Sequence, residues 1–261
     1  LKRKKKLSTY WKIVRELRKE NGELGVIFVN TFISALLFRL GNVKKNIGYN
    51  REGRGFLLDF SPEINYHKHY INRYAFLFNE YIGNKYVYLP ELSLRYTGQK
   101  TFQFDNSHKT IALYLGGENK EFRKYPDEYA VQLLRLLNRQ GYNLLLIGDE
   151  NDNIKHTQYA EEARIDHLIN LTARTTIEGF INTIANVDLI ITIDSSALHI
   201  AAAVKTPFIA LMGLSTSPTS TILPKVPLGR ILKIENNLIR EEDYIRNITP
   251  DLILKTISEL I

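Results

Sequence analysis

The chain has 261 residues, 44% of them hydrophobic, which is enough for one large core or two modest ones. It contains no cysteine, so disulfides, thiolate metal sites and a cysteine nucleophile are excluded, and a reducing, cytoplasmic setting is expected. The formal net charge of +7 is moderate, no run approaches the roughly 18 to 20 apolar residues that span a bilayer, and no signal-peptide pattern opens the sequence.

The densest basic cluster, Lys2 to Lys6, lies beside an amphipathic stretch rather than among stacking aromatics, so no nucleic-acid partner is expected. Such a run is a solvated charge patch or, with Trp11, a peripheral contact with an anionic inner-membrane surface. Helical spacing of Trp11, Ile13, Val14 and Leu17 predicts a helix from Tyr10 to Glu20, stopped by Gly22. Val26 to Val29 reads as a short buried strand, and Asn30-Thr31 as the cap of a helix reaching about Leu40, with Gly41 at its end. Arg51 to Pro62 is expected as a loop and Tyr66 to Tyr81 as a longer helix ending at Gly83. His67 and His69 would then face different ways, and no metal ion is expected. Asn84 to Lys109, irregular and polar, is the best linker candidate, giving a partial N-terminal domain over 1–100 and a second domain over 101–261.

From there strand-like and helix-like runs alternate as βαβ units require. Strands are expected at 111–115, 142–147, 189–193 and 208–212, with a weaker one near 231–234. A helix is expected from Asp127 to Asn138 with Gly141 after it, and Thr175 to Glu178 has the spacing of a capping box that opens a helix to about Asn186. Leu189-Ile190-Ile191 is apolar at successive positions, as in a strand covered on both faces, so the second half is expected to be a doubly wound parallel α/β domain. Ligands of such sheets bind beyond the carboxyl ends of the strands.

Four strand ends carry the candidate residues. After Leu115, Gly116 and Gly117 could let the backbone approach a ligand, and Arg123 and Lys124 favour phosphate; the same residues would serve a plain turn with solvated cations. After Ile147, Asp149 reads as a helix cap, and Glu150 either as an acceptor for a ribose hydroxyl or as a first-turn charge. After Ile193, the run Asp194-Ser195-Ser196 opens a helix carrying His199: an anion pocket, or an Asx-type cap with a packed histidine. Leu214 to Ser220, after Gly213, is a hydroxyl-rich loop that could line the same cleft.

Taken in order, Arg-Lys-Tyr-Pro (123–126), Ile-Gly-Asp (147–149), Thr-Ile-Glu-Gly (176–179), Ile-Asp-Ser-Ser-Ala-Leu-His-Ile-Ala-Ala-Ala (193–203) and Thr-Pro-Phe-Ile-Ala-Leu-Met-Gly (206–213) resemble glycosyltransferase family 9, the ADP-heptose:lipopolysaccharide heptosyltransferases. Asn30 to Ala35 followed by Asn46 to Tyr49 is similar to the acceptor domain of the heptosyltransferase II branch. The resemblance implies an α/β GT-B fold of two Rossmann-like domains, the N-terminal one incomplete. It also implies inverting, metal-independent transfer of a heptose or related sugar from an ADP-sugar to a lipopolysaccharide inner-core acceptor, without a cofactor.

Arg123, with Lys124 beside it, falls where the family has a cation at the donor diphosphate. Asp194, Ser195, Ser196 and His199 match the family's Asp-[Ser/Thr]-Gly-x-x-His signature, with Ser196 standing where glycine is usual. The loop from Gly213 to Pro218 replaces the usual Gly-Pro-[Ser/Thr]-x-x-Pro with a longer-spaced form. With Gly116, Gly117 and Glu150 these residues make the candidate donor site, and Asn30 and Ser34 are candidates on the acceptor side. The family's first strand and its catalytic Asp base would fall ahead of Leu1, so no residue here is expected as the base. The alternative reading is a relative that binds a nucleotide without transferring sugar.

Overall fold

A computed structural model describes residues 7–87, 92–104, 107–213, 223–224, 226–234 and 240–261, which fall into two compact units parted between residues 87 and 92.

The first unit contains α1 (Leu7–Glu20), β1 (Leu24–Ile27), α2 (Phe32–Leu40), β2 (Lys45–Gly48) and α3 (Tyr70–Tyr81). β1 and β2 pair in parallel, Val26 opposite Ile47, over a core that includes Val14, Ile27, Ala35 and Leu77. Thr31 caps α2 by accepting from the Ser34 N–H at 3.3 Å, as its position predicts. Gly41 ends α2 where only glycine fits, because a Cβ there would lie 2.6 Å from Leu17 Cβ of α1. α3 begins four residues later than Tyr66: the His67 N–H donates to the Asn65 side chain at 2.9 Å, and this local turn competes with the helix.

The second unit contains β3 (Thr110–Tyr114), α4 (Asp127–Arg139), β4 (Asn143–Leu146), α5 (Asn153–Ala163), β5 (Leu168–Asn170), α6 (Ile177–Ala185), β6 (Leu189–Ile193), α7 (Ser196–Val204), β7 (Phe208–Leu211), β8 (Gly229–Leu232) and α8 (Pro250–Ile257). The six strands are parallel in the order β5-β4-β3-β6-β7-β8, which is the Rossmann order 3-2-1-4-5-6 when counted from β3. Every residue of β3 and β6 is buried, Thr110 and Thr192 included, as their largely apolar runs require when helices cover both faces. α4 buries Ala130, Val131, Leu133, Leu134 and Leu137 and packs against α5 and α8, while α6 packs against α7. The weak last strand lies at 229–232, two residues ahead of its expected place.

Residues 92–104 belong to this unit, so the boundary falls ahead of residue 100. The Thr97 and Gly98 N–H groups donate to Asn182 Oδ1 of α6 at 3.1 and 3.2 Å, and Asn182 Nδ2 returns to Thr97 Oγ1 at 2.8 Å. The Leu94 N–H donates to the Ala203 carbonyl of α7 at 3.2 Å. What reads as a polar linker is a strap fixed along two helices.

Candidate functional site

β3 and β6 are the neighbours at which the strand order reverses, so their carboxyl ends flank the switch point where ligands of such sheets bind. The turns after β3 and β4 interlock through glycine. A Cβ on Gly117 would lie 2.6 Å from the Asn151 carbonyl oxygen and 2.8 Å from Asp152 Cα, and one on Gly148 would lie 2.8 Å from Asp152 Oδ2. Gly116 adopts φ +79°, a left-handed conformation that favours glycine.

Asp149 caps the turn that follows, as expected: its carboxylate accepts from the Asn151 N–H at 2.8 Å, and Asp152 Oδ2 accepts from the Asp149 N–H at 3.0 Å. Lys120 Nζ pairs with Asp149 Oδ2 at 2.9 Å. Burial opposes the charged Asp149 carboxylate, but the bonds from Lys120 and Asn151 outweigh it and hold its pKa below the ordinary value.

Beyond these turns opens a cleft of about 560 Å³, lined by Gly148, Asp149 and Glu150 after β4, Tyr114 at the end of β3, Ile177 and Phe180 of α6, and Ser196 of α7. The Tyr114 and Phe180 rings meet edge to face, with centroids 6.4 Å apart. Burial, with the Asp152 and Asp149 carboxylates adding to it, pushes the Tyr114 hydroxyl well above its usual pKa, so it is a neutral wall. Ile177 is 83% exposed. It stands in the first turn of α6, which Thr176 caps through Gly179 N at 3.1 Å, one residue later than the Thr175 box predicts.

Ser195, rather than Asp194, caps α7: its Oγ accepts from the Ala197 N–H at 3.2 Å and shares a 3.0 Å hydrogen bond with Thr192 Oγ1. Asp194 offers its carbonyl oxygen to Arg123 Nη1 at 3.3 Å. Ser196 opens α7, exposed and facing the cleft as part of its lining, and His199 follows half-buried in the same helix. The positive end of α7 and the Arg123 guanidinium together favour an anion.

Lys124 is placed elsewhere. It pairs with Asp127 at 2.8 Å, and it lines a separate cavity of about 320 Å³ with Glu128, Arg240 and Arg246. Burial works against Asp127, but hydrogen bonds from Lys124, Tyr159 and Lys155 bring its pKa down to about 2. The hydroxyl-rich stretch Leu214 to Ser220 lies outside the described residues.

In the first unit Asn30 and Ser34 converge on Arg54, which is fully buried. Arg54 Nη2 donates to Asn30 Oδ1 at 2.9 Å, Nη1 to Ser34 Oγ at 3.0 Å, to the Thr31 carbonyl at 3.3 Å and to the Val29 carbonyl, and Nε to the Tyr49 carbonyl at 3.0 Å. Burial lowers the pKa of this guanidinium, with Glu52 opposing. Both acceptor-side candidates thus help hold the loop between β1 and α2. Arg54 is absent from the sequence reading, and its one signal is an arginine set between Gly53 and Gly55. Tyr114, Ile177 and Phe180 are not among the sequence's candidate site residues either, although Ile177 lies within the Thr-Ile-Glu-Gly motif, since nothing local marks an apolar wall built from separate elements.

Among the described residues, no three of His, Cys, Asp and Glu gather as a metal-binding group, and no helix is long and apolar enough to cross a membrane.

Residues 10–242 match the family model described as glycosyltransferase family 9 (heptosyltransferase). The chain belongs to glycosyltransferase family 9. It is therefore a transferase. As a family 9 member it is 26% identical over 281 residues to lipooligosaccharide heptosyltransferase 2 of Haemophilus influenzae, covering 98% of this chain and 81% of that protein. In fold it is similar to the Escherichia coli ADP-heptose lipopolysaccharide heptosyltransferase II, with a TM-score of 0.81 and 22% identity over 97% of this chain and 81% of that one. It is likewise similar to E. coli heptosyltransferase WaaC with ADP-2-deoxy-2-fluoro heptose, with a TM-score of 0.74 and 17% identity over 97% of this chain and 76% of that one. The fold of this family 9 chain is the α/β GT-B class of those structures.

Proposed function

We propose that this chain transfers a heptose from ADP-heptose to a lipopolysaccharide inner-core acceptor, with inversion at the anomeric carbon and without a metal ion. The observation that carries this reading is the cleft at the β3–β6 switch point, with Arg123 held against the Asp194 carbonyl and Ser196 at the start of α7, in a chain of family 9. The heptosyltransferase 2 relative and the structure with an ADP-heptose analogue support the donor and the acceptor class.

In this scheme the donor diphosphate lies toward Arg123 and the first N–H groups of α7, and the nucleoside lies between Phe180, Ile177 and Glu150. The acceptor hydroxyl attacks the anomeric carbon, the bond to the diphosphate breaks, ADP leaves, and the hydroxyl proton passes to a base that no described residue is assigned. Arg123 and the α7 N–H groups stabilise the charge that gathers on the departing diphosphate, which is the role a metal would otherwise take. A lipid-linked acceptor sets the reaction at the cytoplasmic face of the inner membrane.

Thermal unfolding with nucleotides tests the donor site. ADP should raise the melting temperature more than UDP or GDP, and Arg123→Ala should abolish the rise. If all three nucleotides leave it unchanged, the donor reading fails. Release of ADP from ADP-heptose in the presence of a heptose-deficient core, undiminished by EDTA, tests transfer; ADP binding without it supports the nucleotide-binding alternative.

A further inference from the structure

Among the described residues that line the switch-point cleft, the charged ones are Asp149 and Glu150, and both are acidic. A diphosphate entering the cleft is repelled by each of them unless a cation intervenes. Glu150 is exposed, and its longer side chain can swing toward water. Asp149 cannot turn away. Its Oδ1 accepts from the Asn151 N–H at 2.8 Å as the cap of the turn after β4, and its Oδ2 meets Lys120 Nζ at 2.9 Å. With its pKa held below the ordinary value, this carboxylate stays ionised at neutral pH.

Lys120 is built into the wall rather than left loose on the surface. Its side chain is only 18% exposed. Its Nζ stands over the Tyr114 ring, 5.6 Å from the centroid. Its stem lies against Gly116, where a Cβ would come within 3.1 Å of Lys120 Cγ. Tyr114 and Asp149 both line the cleft, so the lysine is fixed by the same residues that the donor would pass.

We propose that Lys120 is a positioning residue for the donor: by neutralising Asp149 in place, it makes this wall of the cleft receptive to a nucleoside diphosphate without itself meeting the phosphates. The proposal rests on the donor site described under the proposed function, and it adds a residue outside the anion end formed by Arg123 and α7.

Titration of the full chain with ADP by calorimetry tests it. Lys120→Met keeps the stem beside Tyr114 and bares the carboxylate, so ADP affinity should fall about tenfold at low salt, and the deficit against the wild type should shrink as salt rises. Lys120→Arg keeps the ion pair and should stay within about twofold of the wild type. Asp149→Asn keeps the cap, because asparagine caps as well as aspartate, and should bind ADP at least as tightly as the wild type. The double variant Lys120→Met with Asp149→Asn has no charge left to neutralise and should return to within about twofold of the wild type. The proposal is overturned if Lys120→Met binds ADP as the wild type does. It is also overturned if the double variant stays as weak as Lys120→Met, since Lys120 would then be a phosphate ligand or a support of the turn. A loss caused by misfolding would persist in the double variant and so counts against the proposal. A wild type that binds none of ADP, UDP and GDP would instead sink the donor reading, and this inference with it; a wild type that binds ADP beside an unaltered Lys120→Met leaves the donor reading standing.

Discussion

Arg123 Nη1 donates to the Asp194 carbonyl oxygen at 3.3 Å, so one guanidinium joins the turn after β3 to the turn after β6, across the switch point of the sheet. The bond uses one donor of the fork and leaves the rest of the group beside the start of α7.

This geometry predicts that charge alone will not replace Arg123. Arg123→Lys keeps a cation and loses the fork, and we expect ADP affinity to fall about tenfold; Arg123→Ala should lose about a hundredfold, with the unliganded melting temperature nearly unchanged. Titration calorimetry with ADP measures both. Equal affinity in the lysine variant and the wild type would remove the fork from the account.

Asn182 pins the strap to α6 through three hydrogen bonds while itself 3% exposed. Asn182→Ala strands two backbone N–H groups and should cost about 2 to 4 kcal/mol, read from the urea midpoint. Limited proteolysis should then cut early within 92–104. An unchanged midpoint with unchanged protection would mean the strap is held by other contacts.

His156 is buried, bonded through Nδ1 to Thr172 Oγ1 at 2.8 Å, and its Nε2 has no hydrogen-bond partner. Burial lowers its pKa from 6.5 to about 4, although Asp152 and Asp149 pull the other way. The unfolded chain therefore takes up a proton that the folded chain resists. The stability gained from the neutral ring is complete above pH 6.5, falls as pH drops from 6.5 toward 4, and changes no further below that. Urea midpoints across this window should fall for the wild type and stay flatter for His156→Gln, which can keep the bond to Thr172. Parallel pH profiles would refute the assignment.

Arg54 stands at the centre of the first unit's loops. Arg54→Met should take the guanidinium from the Tyr49 carbonyl and leave the Val29 and Thr31 carbonyls with the Ser34 hydroxyl alone, destabilising that unit by about 3 kcal/mol or more, and Arg54→Lys should recover little because an ammonium cannot reach acceptors spread around a fork. Trp11 fluorescence follows this unfolding without interference, since the unit holds the only tryptophan.

The central strands were legible because they are largely apolar runs; β6 spans the expected 189–193 with Thr192 as its one polar residue. β5 was not, being three half-buried residues at a sheet edge with no period to read, and α5 buries only His156, Tyr159 and Ala163, two of which look polar. The strap misled for a different reason. Its threonines and glycine look solvated, yet their polarity serves pairing with Asn182, and composition cannot tell a hydrogen bond to water from one to protein. At the site, the residues of the anion end were legible from strand-end position, while Tyr114, Ile177 and Phe180 become neighbours only through the sheet. Lys124 and Asp127, three apart, could have been read as a pair from the helix start alone.

Part of the cleft lining is fixed by the absence of side chains, for Gly117 and Gly148 interlock with the turn at Asn151 and Asp152 so closely that neither can carry a Cβ. Glu150, Ile177 and Ser196, in contrast, are exposed side chains on that framework. An engineer who wished to retune which nucleotide the cleft accepts would have three replaceable positions on an inflexible mount, and changes there should redirect preference while the domain keeps its melting behaviour.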